Sequence, residues 1–123
     1  MRVGIFGSKD WVSYPDIMRT LTIFIQESHE LGHDNLVFVH SGSRGAENMI
    51  TEYVGKTRRF LNEKNFKLKE ELKRGDTQII KDVDVIESGI QFALIFSTGC
   101  RRTAACQRVL KEYEVPFRVI ESA

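Results

Sequence analysis

Three short polar turns hold the residues best suited to chemistry in this chain. They are Gly7-Ser8-Lys9-Asp10-Trp11, Ser41-Gly42-Ser43-Arg44-Gly45 and Ser97-Thr98-Gly99-Cys100-Arg101-Arg102-Thr103. Each one ends an apolar, β-prone run. A helix-compatible stretch follows the second directly, and the third runs into another. Such a junction leaves backbone N–H groups free and points the positive end of a helix dipole at the turn, which favours an anion. Arg44, Arg101 and Arg102 add charge at the same points. A cation at a helix N-terminus is disfavoured by roughly 0.3–1 kcal/mol. Three of them are easier to understand with a phosphate or carboxylate between them. For any single arginine, extension into water explains it equally well. Lys9 is a weaker member of the set, because a surface lysine needs no explanation. Trp11 is the chain's one tryptophan. It is suited to stacking on a base or to covering the core, and the sequence leaves both open.

Several other motifs compete with these turns. Gly55-Lys56-Thr57 resembles the end of a phosphate-binding loop, but Ile50 stands where its first glycine is required, and the stretch lies inside a helical pattern. The dinucleotide fingerprint Gly-x-Gly-x-x-Gly is reduced to Gly42-x-x-Gly45. A Cys-x5-Arg phosphatase loop starting at Cys100 would need arginine at the position of Cys106. His29-Glu30-Leu31-Gly32-His33 matches the zinc-hydrolase pattern, in which two histidines one helical turn apart bind the metal and the glutamate acts as base. Gly32-His33-Asp34-Asn35 reads as a helix end, however, so the second histidine leaves the helical face. Leu36 and Val39 occupy the positions of the extended motif's glycine and third histidine. Cys100, before a helix and beside Arg101 and Arg102, is placed to ionise readily, with His40 the one histidine near the same crevice. A turn cysteine without a catalytic role is the plainer reading.

The elements that must position these turns alternate in period. Arg2–Phe6 reads as a strand. Pro15 to about Leu31 reads as a helix with Ile17, Leu21, Phe24 and Ile25 on one face and Gly32 closing it. Leu36–Val39 is a strand, Ala46 to about Asn62 a helix, and Phe66–Leu68 a short strand. Asp76 reads as the N-cap of a helix with the stripe Ile79, Ile80, Val83 and Ile86. Gln91–Phe96 is a continuous apolar run, as a strand covered on both faces requires. Arg102–Glu114 is a helix stopped before Pro116, and Phe117–Ile120 is the last strand. The fold class is therefore α/β, a single domain over 1–123 with an open parallel sheet and right-handed crossovers. If the first strand is central, flanked by the second and fourth, the three turns converge on one crevice.

Composition narrows the function classes. Eighteen basic against 17 acidic residues leave a formal charge of +1, so no global electrostatic footprint for nucleic acid exists. No apolar run approaches the ~20 residues of a bilayer span. The opening residues read as a strand and not as a signal peptide. Two cysteines at a spacing poor for a bridge fit a cytoplasmic protein.

With these residues in view, the chain resembles the YspA-type, cpYpsA-related branch of the SLOG superfamily. Gly7-Ser8-Lys9-Asp10-Trp11 resembles that branch's Gly-Ser-Arg-Asp-Trp turn, and His40-Ser-Gly-Ser-Arg-Gly-Ala-Glu47 its His-Gly-Gly-Ala-Arg-Gly-Ala-Asp element. Phe96–Thr103 resembles the third element, with Arg102 in place of the glycine before Thr103. The resemblance implies a Rossmann-like sheet of about five strands with helices on both faces. It implies a nucleotide or nucleotide-derived ligand, ADP-ribose-like or cyclic forms included. Its ligand-contacting positions would be Gly7, Ser8, Lys9, Gly42, Ser43, Arg44, Gly45, Thr98, Gly99 and Thr103. Ser41, Ser97, Trp11, Arg101 and Arg102 complete the expected pocket, and Glu47 is a candidate for ribose hydroxyls or for capping its own helix. No cofactor, metal, membrane or nucleic-acid partner is expected, and the sequence leaves a homo-oligomer open. Related phosphoribohydrolases cleave an N-glycosidic bond with a glutamate at the position of Cys106, and Glu47 is the nearest substitute. The expectation is thus a binding protein acting as sensor, carrier or sequestering agent, with nucleotide N-glycosidic hydrolysis as the alternative and a zinc hydrolase using His29, Glu30 and His33 as the remote one.

Overall fold

A strand with apolar side chains at every position must be covered on both faces, and the central strands here are. In the computed structural model, which describes residues 1–75 and 77–122, the elements are β1 (Arg2–Gly7), α1 (Tyr14–Glu30), β2 (Asn35–His40), α2 (Ala46–Glu63), β3 (Lys67–Leu72), α3 (Gln78–Glu87), β4 (Phe92–Ser97), α4 (Arg101–Glu112) and β5 (Phe117–Glu121). The side chain of Ile79 and all of Asp76 lie outside the described residues, and so does the expectation that Asp76 caps α3. Thr77 fills the N-cap position there, accepting from the Ile80 N–H.

All strand pairs are parallel, in the order β3-β2-β1-β4-β5. This is a Rossmann-like α/β sheet with β1 at its centre, flanked by β2 and β4. The order reverses between β1 and β4, which is where such sheets open a crevice at their C-terminal edge. Alternation along each strand splits the core in two. Val3, Ile5, Leu36, Phe38, Leu94 and Phe96 pack on the side of α1 and α2. Phe6, Val39, Ala93 and Ile95 pack on the side of α3 and α4 with Val85, Ile86 and Leu110.

The helix boundaries follow local chemistry. Ser13 caps α1 by accepting from the Asp16 N–H, and Pro15 sits in the first turn. Beyond the last turn Gly32 adopts φ +85, and the His33 N–H returns to the Ser28 carbonyl at 2.8 Å. Three expectations need correction. The third strand is twice the anticipated length and pairs with β2 from Asn35 to His40. It is an edge strand whose one fully buried apolar residue is Leu68, so its pattern carries little signal. In α3 the inward residues among those described are Asp82, Val85 and Ile86, while Ile80 is 46% exposed. Finally, α4 spans Arg101–Glu112, with Tyr113 as C-cap and Glu114 at φ +57. No helix among the described residues is long and apolar enough to cross a membrane.

Candidate functional site

The sheet brings the three turns to one edge, but their polar groups mostly face each other. The turn after β1 is tight, with the Trp11 N–H donating to the Ser8 carbonyl at 3.2 Å. Gly45 stands at the N-cap of α2 with φ +84 and ψ −131, a region open in practice to glycine. A side chain there would meet the Ser8 and Lys9 carbonyl oxygens at 2.5 and 2.6 Å. A side chain at Gly7 would collide with Ala46. These two glycines let the first two turns touch backbone to backbone. Gly99, at φ +88 with open space around it, is the glycine of the third turn that faces outward.

Arg102 joins the elements. It donates to the Gly7 carbonyl, to both carboxylate oxygens of Asp82 on α3, and to Glu47 on α2. Its side chain is 15% exposed, and those of Glu47 and Asp82 are 1% and 10% exposed. Burial works against the guanidinium's charge, yet Asp82 and Glu47 outweigh it and hold its pKa above the ordinary value. The second oxygen of Glu47 accepts from the Ser41 N–H at 2.9 Å and the Ser41 hydroxyl at 2.7 Å. Gln78 donates to Asp82 at 2.9 Å and to Ser41 at 3.2 Å, and accepts from Ser43 at 2.6 Å. The result is a closed polar ring through α2, the β2 turn, α3 and α4. The anion anticipated for Arg102 is thus internal.

The other expected residues divide in the same way. Trp11 is 2% exposed, meets Phe96 edge-on at 5.5 Å and donates its indole N–H to the Ser13 carbonyl, so it belongs to the core. Ser8 accepts from the Thr98 N–H at 3.0 Å. Ser97 accepts from the Gly99 N–H and bonds the buried Thr103 hydroxyl at 2.7 Å. Gly42 donates its N–H to His40 Nδ1, which leaves Nε2 protonated and donating to Glu70 at 2.7 Å. That bond, ahead of the opposing effect of burial, holds the Glu70 carboxyl below its usual range. Lys9, Arg44 and Arg101 are exposed and, among the described residues, have no carboxylate partner within 4.0 Å.

A cavity of about 640 Å³ opens beside the β1 and β4 turns, between α3 and α4. That is ample for a nucleotide-sized ligand. Lys9, Asp10, Cys100 and Arg101 stand at its polar end, Val83, Ile86, Ala105 and Val109 supply apolar wall, and Arg108 lines it next to Val109, two turns further along α4. Among the expected site residues, Lys9, Arg101 and Arg102 line it. Ser41 and Gly42 line a separate pocket of about 370 Å³ with Arg74 and Lys81. Sequence reasoning missed Asp82, Gln78 and the apolar wall. The signal for Asp82 was an acidic residue at an inward helical position, four before Ile86.

The two cysteines have opposite environments. Cys100 is half-buried at the start of α4, its sulfur 3.1 Å from the Ser8 hydroxyl and 3.6 Å from that of Thr103. Burial pushes this thiol up, but Ser8, Thr103 and the N–H groups of Thr103 and Arg102 together bring it below its ordinary value. Cys106 is buried and donates to Asp82 at 3.4 Å. Burial, then the Asp82 carboxylate, pushes its thiol far up. Iodoacetamide near neutral pH should therefore alkylate Cys100 at least ~10-fold faster than Cys106, read by peptide mass spectrometry. Equal rates would show that the two sites are not differentiated in this way.

The zinc-hydrolase residues do not assemble. The helix ends at Glu30, His29 bonds Asp34, and His33 lies past the glycine turn. Among the described residues no three His, Cys, Asp or Glu side chains gather as a metal site. No protein-family model, curated protein or solved structure matches the chain.

Proposed function

We propose that this protein binds a nucleotide or nucleotide-derived ligand at the C-terminal edge of its sheet, as a sensor, carrier or sequestering protein of the cytoplasm. The cavity at the point of strand reversal carries this reading. It opens beside the β1 and β4 turns, between α3 and α4, with Lys9 and Arg101 on its rim, two cations against the one exposed carboxylate of Asp10. A ligand phosphate beside these cations would also offset the cost of placing Arg101 in the first turn of α4, where no acidic residue stands. The resemblance of the three turns to the YspA-type branch of the SLOG superfamily supports the same ligand class.

Binding is favoured over hydrolysis because the buried carboxylates are occupied, while Asp10, the exposed one on the rim, accepts from the Thr98 hydroxyl at 2.7 Å. Asp82 accepts from Gln78, twice from Arg102 and from Cys106, and Glu47 accepts twice from Ser41 and once from Arg102. Neither is free to act as a general acid or base. A thermal-shift panel of nucleotides, cyclic nucleotides and ADP-ribose tests the reading. A ligand at ~100 times its dissociation constant should stabilise the protein by about 2.7 kcal/mol. Arg101→Ala and Lys9→Ala should each reduce that shift, and Arg44→Ala should do so only if the β2 turn shares the ligand. A panel in which nothing stabilises the protein sinks the proposal, as does a shift that Arg101→Ala and Lys9→Ala both leave intact.

A further inference from the structure

The apolar part of the cavity has no role in holding a phosphate. Val83 and Ile86 on α3 face Ala105 and Val109 on α4, spaced three and four residues apart on their helices. Val83, Ala105 and Val109 are half-buried, not sealed into the core, and Ala105 is small enough to leave a slot. Lys9 and Arg101 lie at the polar end of the same cavity, outnumbering the one exposed carboxylate there, Asp10, which is bonded to the Thr98 hydroxyl. A ligand complementary to this surface is amphipathic, with an anionic group at one end and a flat apolar ring at the other. The buried polar groups next to the slot, Asp82 and Arg102, are bonded to each other and to Gln78, Glu47 and Gly7. They hold the floor and are not available to read a ring edge.

We infer that the slot between α3 and α4 is the subsite for the ligand's base, with the phosphate end toward Lys9 and Arg101. The inference rests on the nucleotide-binding reading and adds where the ring lies. Trp11, the aromatic residue within the first turn, takes no part, because it is enclosed against Phe96. The ring is gripped by aliphatic contact, so affinity follows ring area.

Titration calorimetry with adenosine monophosphate and ribose 5-phosphate separates the two ends. The intact protein should bind adenosine monophosphate at least ~10-fold more tightly than ribose 5-phosphate, a difference of about 1.4 kcal/mol. Ala105→Phe, which fills the slot, should remove that advantage and leave ribose 5-phosphate affinity unchanged. Val109→Ala, a milder change in case the bulkier one misfolds, should reduce the advantage in part. Arg101→Ala should weaken both ligands. Equal affinity of the intact protein for the two ligands overturns the inference. So does an unchanged affinity for adenosine monophosphate in both slot variants. If Ala105→Phe instead dissociates an oligomer and leaves nucleotide affinity intact, the slot belongs to a second copy and the inference fails. If neither ligand binds the intact protein, the nucleotide reading falls with it, an outcome distinct from loss of the slot alone.

Discussion

Arg102→Ala should destabilise the fold by about 3–5 kcal/mol, because it leaves two buried carboxylates without their cation. Glu47 and Asp82 are almost inaccessible to water, and neither has another basic partner within 4.0 Å among the described residues. Removing the guanidinium also takes a donor from the Gly7 carbonyl at the end of β1. The loss exceeds what the ion pair itself contributes, since much of it is the cost of the orphaned charges. Urea denaturation of Arg102→Ala and of the triple variant Arg102→Met, Glu47→Gln, Asp82→Asn separates these. The triple variant, carrying no buried charge, should recover a large part of the stability. A single variant within ~1 kcal/mol of the parent would show that water reaches the site. Arg102→Lys should fall between, because a compact ammonium cannot reach the Gly7 carbonyl and both carboxylates in the same fork geometry.

This network marks the boundary of what the sequence reveals. Four of the five strands and the four helices follow from apolar runs and a 3.6-residue period, whereas the strand order is only conditional, because nothing local fixes which strands pair. Gly7-Ser8 and Gly42–Gly45 are recognisable as turns for the same reason. What they contact is another matter. Arg102 lies 55 residues from Glu47 and 20 from Asp82, and no local pattern ties the three together. A basic residue in the first turn of a helix looks the same in sequence whether its anion is a ligand or a buried carboxylate. Trp11 is ambiguous in the same way, since a large ring beside a turn suits a core and a base equally. The wall of the cavity comes from faces of α3 and α4, and residues such as Ala105 and Val109 read as ordinary helix packing until the two faces are set opposite each other.

Gly45→Ala should cost about 3 kcal/mol or more, and should act on the site as well as on stability. Two costs add. At φ +84 and ψ −131 the backbone occupies a region that residues with a Cβ rarely adopt. In addition, the new methyl would lie at 2.5 Å from the Ser8 carbonyl oxygen and 2.6 Å from that of Lys9. Both are backbone atoms, so neither can be relieved by a side-chain rotation. Ser8 and Lys9 would have to withdraw from α2, and that movement reaches the cavity. Ser8 fixes the Thr98 N–H and the Cys100 sulfur, and Lys9 lines the rim. The variant should therefore unfold at lower temperature and, where still folded, alkylate at Cys100 at a changed rate. Gly99→Ala is the control. Its φ of +88 imposes backbone strain of the same kind, of order 1–3 kcal/mol, but no atom lies within 4 Å of the added methyl. The difference between the two variants isolates the contact between the β1 and β2 turns. If both lose the same stability in thermal and urea unfolding, backbone strain alone accounts for Gly45, and the close approach of the turns contributes nothing.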